Sequence, residues 1–330
     1  MNAALRIIRS REAVLFLVLV GLFAVMSWRV EYFLDLQNLF DQARYWVAPG
    51  LIAIAMTFII ATGGIDLSVG SILALSGIVV GLLYRDAGWP IWAAGGCAVL
   101  VAGAAGALNG LVVAYVQVPA LVVTLATMTL FRGLAMGLLG KQRPVGDFPA
   151  SFRWLGQGDA FPVPGSGAAP AYVPVSVIVL IIAFALGWAL MRRSWVGRFT
   201  ELMGENQIAA AFAGINVPAL NFGLFTGCGL LCGLAGMFHT AQVNTALADT
   251  AQDMALDVVA CVVIGGTRIS GGHASMIGSL LGLLIIGILR FGLDLAGVPS
   301  QNTIIVIGLV LVVTAVFNEW MASRTSGEEQ

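Results

Sequence analysis

Residues 61–71, ATGGIDLSVGS, place a carboxylate and two hydroxyls inside a sequence that is otherwise apolar. A carboxylate at membrane depth is energetically unfavourable unless it is paired, capped or hydrated. Gly63 and Gly64 allow backbone angles that other residues avoid, and Asp66 or Ser68 can then cap the free N–H groups of a following helix. The pattern predicts a break between two helices that is closed by a capped turn.

The same break is also typical of a solute pathway through a membrane. In transporters, unwound backbone and the N-terminus of a broken helix lie beside polar solutes. The capped turn and the pathway element are compatible, and the sequence leaves both open. The positions involved in either interpretation are Gly63, Gly64, Asp66, Ser68 and Gly70.

The composition of the chain is that of a membrane protein. Of its 330 residues, 59% are hydrophobic and 10% are charged, and the mean hydropathy is +0.95. Soluble chains carry about 25% charged residues. The net charge of −1 says little about partners, but the lack of a basic tract argues against a nucleic-acid partner. We therefore predict a multi-pass, all-α integral membrane protein.

Apolar runs bounded by glycine, proline and charged residues predict about ten transmembrane helices, because a span needs about 20 apolar residues. The first run follows Arg6, Arg9 and Arg11 and precedes no small-residue cleavage pattern. We interpret it as a retained helix with a cytoplasmic N-terminus. The eighth run is too short to span alone, which indicates a tilted, broken or re-entrant helix. The ten runs are roughly 12–28, 46–62, 66–84, 91–115, 120–139, 173–192, 218–240, 254–266, 274–293 and 301–319.

Two longer segments separate these runs. Residues 140–172 are rich in proline and glycine and are predicted to form a loop outside the bilayer. Residues 192–217 contain three arginines and a short amphipathic helix, and they are predicted to be cytoplasmic. The predicted organisation is a cytoplasmic N-terminus at 1–12, a transmembrane domain at 13–320 and a cytoplasmic tail at 321–330.

The sequence lacks the motifs that several kinds of chemistry require. The sequence has no Gly-x-x-x-x-Gly-Lys-Ser/Thr loop for ATP phosphates and no HExxH or GxSxG motif. Cys228 and Cys232 share a helix face without a histidine or carboxylate nearby, so we interpret them as packing residues rather than metal ligands. Asp66, Arg132 and Arg290 are nearly the only ionisable residues in the helices, which argues against a proton-driven pump.

Four stretches, in order along the chain, resemble the ABC-transporter permeases of the ribose-type, or monosaccharide, family. They are MTFIIATGGIDLSVGSILALSG at 56–77, LNGLVVAYVQVPALVVTLATMTLFRGLAM at 108–136, MGENQIAAAFAGINV at 203–217 and LDVVACVVIGGTRISGGHASMIGSLLGLLIIGIL at 256–289. The resemblance extends from about residue 13 to residue 320.

The resemblance implies about ten transmembrane helices, arranged as in the permease of the cobalamin importer. It implies that two permease subunits, identical or homologous, enclose the pathway in the bacterial inner membrane, surrounded by lipid. Two cytoplasmic ATPase subunits hydrolyse ATP, and a periplasmic binding protein delivers the sugar. ATP is then bound by the ATPase subunits. This chain itself is therefore not expected to be an enzyme or to hold a cofactor or metal.

The resemblance also implies roles for particular residues. Asn109 and Thr124 join the residues of the 61–71 stretch as candidates for shaping the pathway or closing the helix break. The cytoplasmic segment is expected to dock in a groove on the ATPase, and the 140–172 loop is expected to face the binding protein. The candidates for this coupling loop are Glu205, Asn206, Ala210 and Gly214.

Two functions from different classes follow from these observations. The first is a permease subunit of an ATP-driven importer for a monosaccharide: a pentose, a deoxyhexose such as rhamnose, or a sugar-like autoinducer. The alternative is a stand-alone secondary transporter or channel. That alternative requires a titratable or ion-binding cluster within the helices, and the sequence contains no such cluster. The sequence favours the importer permease.

Overall fold

The chain is mainly helical, with a few short strands. Some of the sequence predictions concern residues outside the part of the chain that is described. These residues are 1–10, 313–319 at the end of the tenth run, and the tail at 321–330. The residues that the computed structural model describes are 11–141, 143–164, 170–299, 301–310 and 312.

The long helices follow the predicted apolar runs to within a few residues. In chain order, the helices are α1 (Arg11–Arg29), α2 (Leu36–Tyr45), α3 (Val47–Ala61), α4 (Val69–Arg85), α5 (Ile91–Leu111), α6 (Ala120–Leu139), α7 (Ala150–Gln157), α8 (Val175–Arg193), α9 (Trp195–Glu205), α10 (Gln207–Phe212), α11 (Val217–Val243), α12 (Met254–Ile264), α13 (Met276–Leu295) and α14 (Gln301–Val310). The strands are β1 (Val145–Gly146), β2 (Asp159–Val163), β3 (Ala171–Pro174) and β4 (Thr245–Ala246).

Six helices of the described chain are long and apolar enough to cross a membrane. They are α1, α5 with the π-helical turn that follows it (Val112–Val116), α6, α8, α11 and α13. Helices α2 and α3 meet at a bend of 51° and make a seventh span if they are taken together. Helices α4, α12 and α14 are apolar but shorter. The fold is therefore that of a multi-pass, all-α membrane protein, and the count of ten spans stays a prediction.

One end of the helix bundle is formed by residues 140–174, and we call it the hairpin end because it carries the β2–β3 hairpin. Helix α2 reaches it through Arg44, whose guanidinium donates to Asp159 Oδ1 at 2.6 Å. Helix α4 reaches it through Arg85, whose guanidinium donates to a backbone carbonyl of this segment at 3.2 Å. Ion pairing and hydrogen bonding thus attach the segment to the helices beneath it.

The opposite end of the bundle carries α9 and α10, and we call it the α9–α10 end. There the hydroxyl of Ser275 donates to Glu12 at 2.7 Å, which joins the first turns of α1 and α13. The N–H of Gly272 donates to the carbonyl of Ala61, the last residue of α3, at 2.9 Å. Since these contacts lie opposite the hairpin end, α3 connects the two ends of the molecule.

The 140–172 segment, predicted to be a loop, contains regular structure. It includes α7 and the antiparallel β2–β3 hairpin, while β1 pairs with β4 in the register Val145↔Ala246. The strands are short and carry prolines, so they lack the alternation by which strands are recognised in a sequence. Helix α2 was likewise missed, although Asp35 caps it by accepting two N–H groups of its first turn.

Close packing of small residues joins α5 to α11, the most extensive helix pair in the described structure. A Cβ atom at Gly106 would overlap the carbonyl of Phe225 and the backbone of Gly229, so the two helix backbones are in direct contact. Small residues allow this approach, which is a main source of helix association in lipid. The glycine-rich sequence of both helices therefore has a packing function.

Replacing Gly106 by valine is expected to separate α5 from α11. Overpacking of this kind lowers the free energy of unfolding by about 1–3 kcal/mol. The matched control is Gly96→Val on the same helix, where an added Cβ atom meets nothing within 4 Å. The apparent melting temperature of the purified protein in detergent measures the difference. Equal melting temperatures for the two variants would contradict the close contact.

Candidate functional site at the break between α3 and α4

The break begins where α3 ends. The hydroxyl of Thr62 donates to the carbonyl of Ile59 at 2.7 Å, and the N–H of Gly64 donates to the same carbonyl at 3.1 Å. Gly63 has a φ of +81°, a conformation that side chains other than glycine rarely adopt. The GlyGly pair therefore terminates α3 and turns the chain toward Asp66, as the sequence predicted.

A chain of hydrogen bonds then joins the break to two other helices. Asp66 Oδ1 accepts the backbone N–H of Ser68 at 2.8 Å and its hydroxyl at 2.6 Å. Ser68 Oγ in turn accepts Nδ2 of Asn109 from α5 at 2.8 Å. From α6, the hydroxyl of Thr124 donates to the carbonyl of Ile65 at 3.2 Å. Residues far apart in the sequence thus form one polar network.

The network is completely enclosed by protein. Asp66, Ser68, Asn109 and Thr124 all have 0% of their surface exposed. Among the described residues, Asp66 Oδ2 and Asn109 Oδ1 have no hydrogen-bond partner. A buried polar atom without a partner costs about 1–3 kcal/mol. The carboxylate is therefore only partly compensated, and two acceptors remain available in the network.

The geometry differs in one respect from the capped helix that the sequence suggested. Ser68 is the N-cap residue of α4, but it has helical backbone angles and makes no side-chain bond to the first turn. Asp66 binds the N–H of Ser68 instead, which closes the turn before the helix begins. The carboxylate therefore stabilises the break itself and not the first turn of α4.

Two glycine motifs, GGIDLSVG at 63–70 and GGTRISGG at 265–272, lie together at this break. Gly271 and Gly272 of the second motif have φ values of +87° and +82°, and Gly272 binds the carbonyl at the end of α3. On the other side, a Cβ atom at Gly70 would overlap the carbonyl of Ala251. Two glycine-rich turns that are far apart in the sequence are therefore in contact at the break.

A groove of about 1050 Å³ lies beside the break and opens at the α9–α10 end. One wall is the backbone of residues 62–65, and another is the turn between α5 and α6, where Gln117 adopts a left-handed conformation with φ +62°. Helix α10 and the start of α11 complete it. The helix break and α10 therefore border the same space.

The predicted coupling-loop residues lie where α9 meets α10. Glu205 ends α9, and Asn206 caps α10 by accepting an N–H of its first turn at 2.9 Å. Ala210 is buried against Met203, and Gly214 has a φ of +88° in the turn that follows. Of these four positions, only Ala210 lies within α10, and the other three flank that helix. Their role toward a partner stays a prediction.

The exposed face of α10 is apolar and lines the groove beside the break, which the sequence alone did not indicate. Ile208 is 72% exposed and Phe212 is 89% exposed. The two residues are four apart, so their side chains lie on one face of the helix, opposite the buried Ala210. The four-residue spacing of Ile208 and Phe212 can be read from the sequence QIAAAF, but only their exposure in the structure shows that they are not packed in the core.

The sequence comparisons place the chain in a family of membrane transport proteins. Residues 38–315 match the family described as branched-chain amino acid transport system / permease component. Since this match covers most of the chain, the chain belongs to that family. The family resemblance seen in the four sequence stretches is thereby confirmed.

Individual relatives have permease names and similar lengths. The ribose import permease protein RbsC of Bacillus subtilis (strain 168) is 36% identical over 308 residues, which is 92% of this chain and 91% of that protein. RbsC of Escherichia coli (strain K12) is 34% identical over 297 residues, 90% of each chain. The autoinducer 2 import system permease protein LsrD of Klebsiella pneumoniae is 31% identical over 285 residues, 85% of this chain and 82% of that protein. No solved structure has a significant match.

The network predicts different effects for two substitutions of Asp66. Asp66→Ala removes the acceptor of both Ser68 bonds and is expected to lower the free energy of unfolding by about 1–3 kcal/mol. Asp66→Asn keeps an oxygen at Oδ1, so its free energy of unfolding is expected to stay closer to that of the unsubstituted protein. The apparent melting temperature in detergent, measured for both variants, tests this order.

Asp86→Ala is the control for the Asp66 variants, because the Asp86 side chain is 45% exposed and its ion pair lies at the protein surface. Surface pairs contribute about 0–1 kcal/mol. If Asp66→Ala were as stable as Asp86→Ala, the buried carboxylate would not hold the break.

Proposed function

We propose that the chain is the membrane-spanning permease subunit of an ATP-driven ABC importer for a monosaccharide or sugar-like solute. The observation that carries this proposal is the match over about nine tenths of the chain to permeases named for ribose import. The similarity to permeases named for autoinducer 2 import extends the solute class to sugar-like molecules. A stand-alone secondary transporter or channel is not favoured, because these relatives are components of import systems.

The proposed architecture has ten spans, as in the cobalamin-importer permease. The six long helices, the bent α2–α3 pair and the shorter α4, α12 and α14 together give that number. The proposal is supported by α3 and α4, which run in opposite directions between the hairpin end and the α9–α10 end. In a bacterial inner membrane, the α9–α10 end would be cytoplasmic and the hairpin end periplasmic.

The proposed contact with the ATPase is made by α10. Its exposed Ile208 and Phe212 suit the helix-in-groove mode of recognition, in which apolar residues four apart enter a hydrophobic groove. The ATPase subunits would bind and hydrolyse ATP, and the chain itself would hold no cofactor. Two permease copies, or this chain and a homologue, would enclose the pathway, with lipid around them and the sugar-binding protein at the hairpin end.

The proposed mechanism connects ATPase movement to the helix break. Helix α10 and residues 62–65 border one groove, so a displacement of α10 changes the space against which the break packs. The Asp66–Ser68–Asn109 network would transmit that change to α4 and α5. Gly63, Gly64, Gly70 and Thr124 would shape the same region. A sugar would cross with weak contacts only, since tight binding would trap it.

The proposed function is tested by reconstituting the chain with its candidate ATPase in proteoliposomes. A panel of binding proteins, each loaded with a sugar such as a pentose or a deoxyhexose, is then added. Stimulation of ATP hydrolysis by one loaded binding protein would support the importer and identify its solute. Sugar flux without any associated ATPase would overturn the proposal in favour of a secondary transporter.

The role of α10 predicts that Phe212→Asp weakens association with the ATPase. A charge in place of an apolar anchor is expected to reduce co-purification about tenfold or more, because an interface anchor contributes about 2 kcal/mol or more. Trp154→Asp is the control, since Trp154 is 52% exposed but lies in α7 at the hairpin end. Equal recovery of the ATPase with both variants would show that α10 is not the docking helix.

A further inference from the structure

An arginine inside the bundle binds the backbone of a distant segment. Arg132 lies in the middle of α6, and its Nη1 donates to the carbonyl of Ala248 at 2.7 Å and to that of Thr250 at 2.6 Å. The hydroxyl of Thr250 is in turn 2.7 Å from Nε2 of His239 in α11. Residues 248–253 are therefore held from two helices, and we call them the clasped segment.

The clasped segment lies at membrane depth. Its upstream neighbour Ala246 packs beside Gly81, near the hairpin end of α4, whereas Ala251 contacts Gly70, near the other end of that helix. The eleven residue-to-residue steps along α4 from Gly70 to Gly81 correspond to about 16 Å, roughly half of a hydrocarbon core about 30 Å thick. The chain thus descends far into the membrane before α12 begins at Met254.

Irregular backbone at this depth is restricted to two environments. It is either buried in protein or lines a water-filled cavity, because hydrocarbon satisfies no backbone hydrogen bond. The clasped segment has no helix or strand, and the side chains of Asp249, Gln252 and Asp253 are exposed. Carboxylates at membrane depth do not face lipid without a large penalty. The outward side of the segment therefore faces an aqueous space.

We propose that Arg132 is a positioning residue for transport: it fixes the clasped segment as part of the wall of the solute pathway. This inference rests on the proposed importer function. Arg132 acts through the segment, because both of its hydrogen bonds go to backbone carbonyls. The side chains that it orients outward accept hydrogen bonds from hydroxyls, which suits a neutral, polyhydroxylated solute such as a monosaccharide.

The carbonyls of Ala248 and Thr250 explain why a cationic side chain is present at position 132. Without Arg132, both oxygens would lose a charge-assisted donor in a place where water competes from one side only. The segment would then move toward the aqueous space and narrow it. Such a change alters the rate at which a solute passes while leaving the docking of a binding protein at the hairpin end intact.

The test uses Arg132→Gln in the complete importer, reconstituted with its ATPase and the sugar-loaded binding protein. The maximal rate of sugar uptake is expected to fall about tenfold or more, in line with the loss of a charged hydrogen bond. The concentration of binding protein at half-maximal uptake is expected to stay unchanged. Arg132→Lys is expected to restore most of the rate, because an ammonium group also donates to two carbonyls.

The control is Thr129→Ala, one turn earlier on the exposed surface of α6, whose hydroxyl bonds only to the carbonyl of Leu125 in its own helix. A second readout is the rate at which a charged maleimide labels Gln252→Cys. Labelling is expected in the unsubstituted importer, and it is expected to change about tenfold when Arg132→Gln is added. Uptake and labelling equal to those of the control would overturn the proposal.

If Arg132→Gln fails to assemble, Arg132→His decides, since an imidazole is shorter than a guanidinium and reaches at most one of the two carbonyls. A change in the labelling of Gln252→Cys then supports the clasp, and unchanged labelling overturns it. An unsubstituted importer without sugar-stimulated ATP hydrolysis would instead refute the proposed function. The two failures are therefore distinguishable.

Discussion

Polar groups inside an apolar bundle must be satisfied by the protein itself, and the break between α3 and α4 depends on this constraint. A broken helix at depth frees backbone donors and acceptors that lipid does not bind. Asp66 accepts one of those donors, the N–H of Ser68, together with the Ser68 hydroxyl. Asn109 from α5 donates to that hydroxyl, and Thr124 from α6 donates to the freed carbonyl of Ile65. The arrangement of four helices is thus determined by where the hydrogen-bond partners of a few residues lie.

The clasped segment meets the same constraint in a different way. At the α3–α4 break, a carboxylate accepts hydrogen bonds from neighbouring donors. At the clasped segment, the guanidinium of Arg132, which comes from α6, donates to two carbonyls of the segment. The two irregular stretches meet where Ala251 approaches Gly70. The described structure therefore places its two irregular stretches side by side, with α10 and its groove next to the break.

The sequence was sufficient for most of the helices and for the position of the break between α3 and α4, whereas Asn109 and Thr124 were singled out only by the family resemblance. Runs of apolar residues determine helix positions strongly, and the GlyGly–Asp–Ser pattern has few alternatives in such a context. The sequence was not sufficient for α2 or for the short strands of the hairpin end, whose formation depends on contacts such as Arg44 with Asp159. It also gave no sign that Arg132 binds residues 116 and 118 positions away, since such pairing arises only from tertiary packing.

Helix α3 is buried at every residue except Pro49. It begins directly after α2, which Arg44 ties to the hairpin end, and it finishes where Gly272 binds Ala61. A close-packed interior resists compression and transmits strain, and a helix of this length with neighbours on all sides has no free direction in which to bend. A push at one end of α3 must therefore emerge at the other as a shift or rotation of the whole helix, so the hairpin end and the α9–α10 end of the bundle share a single rigid axis.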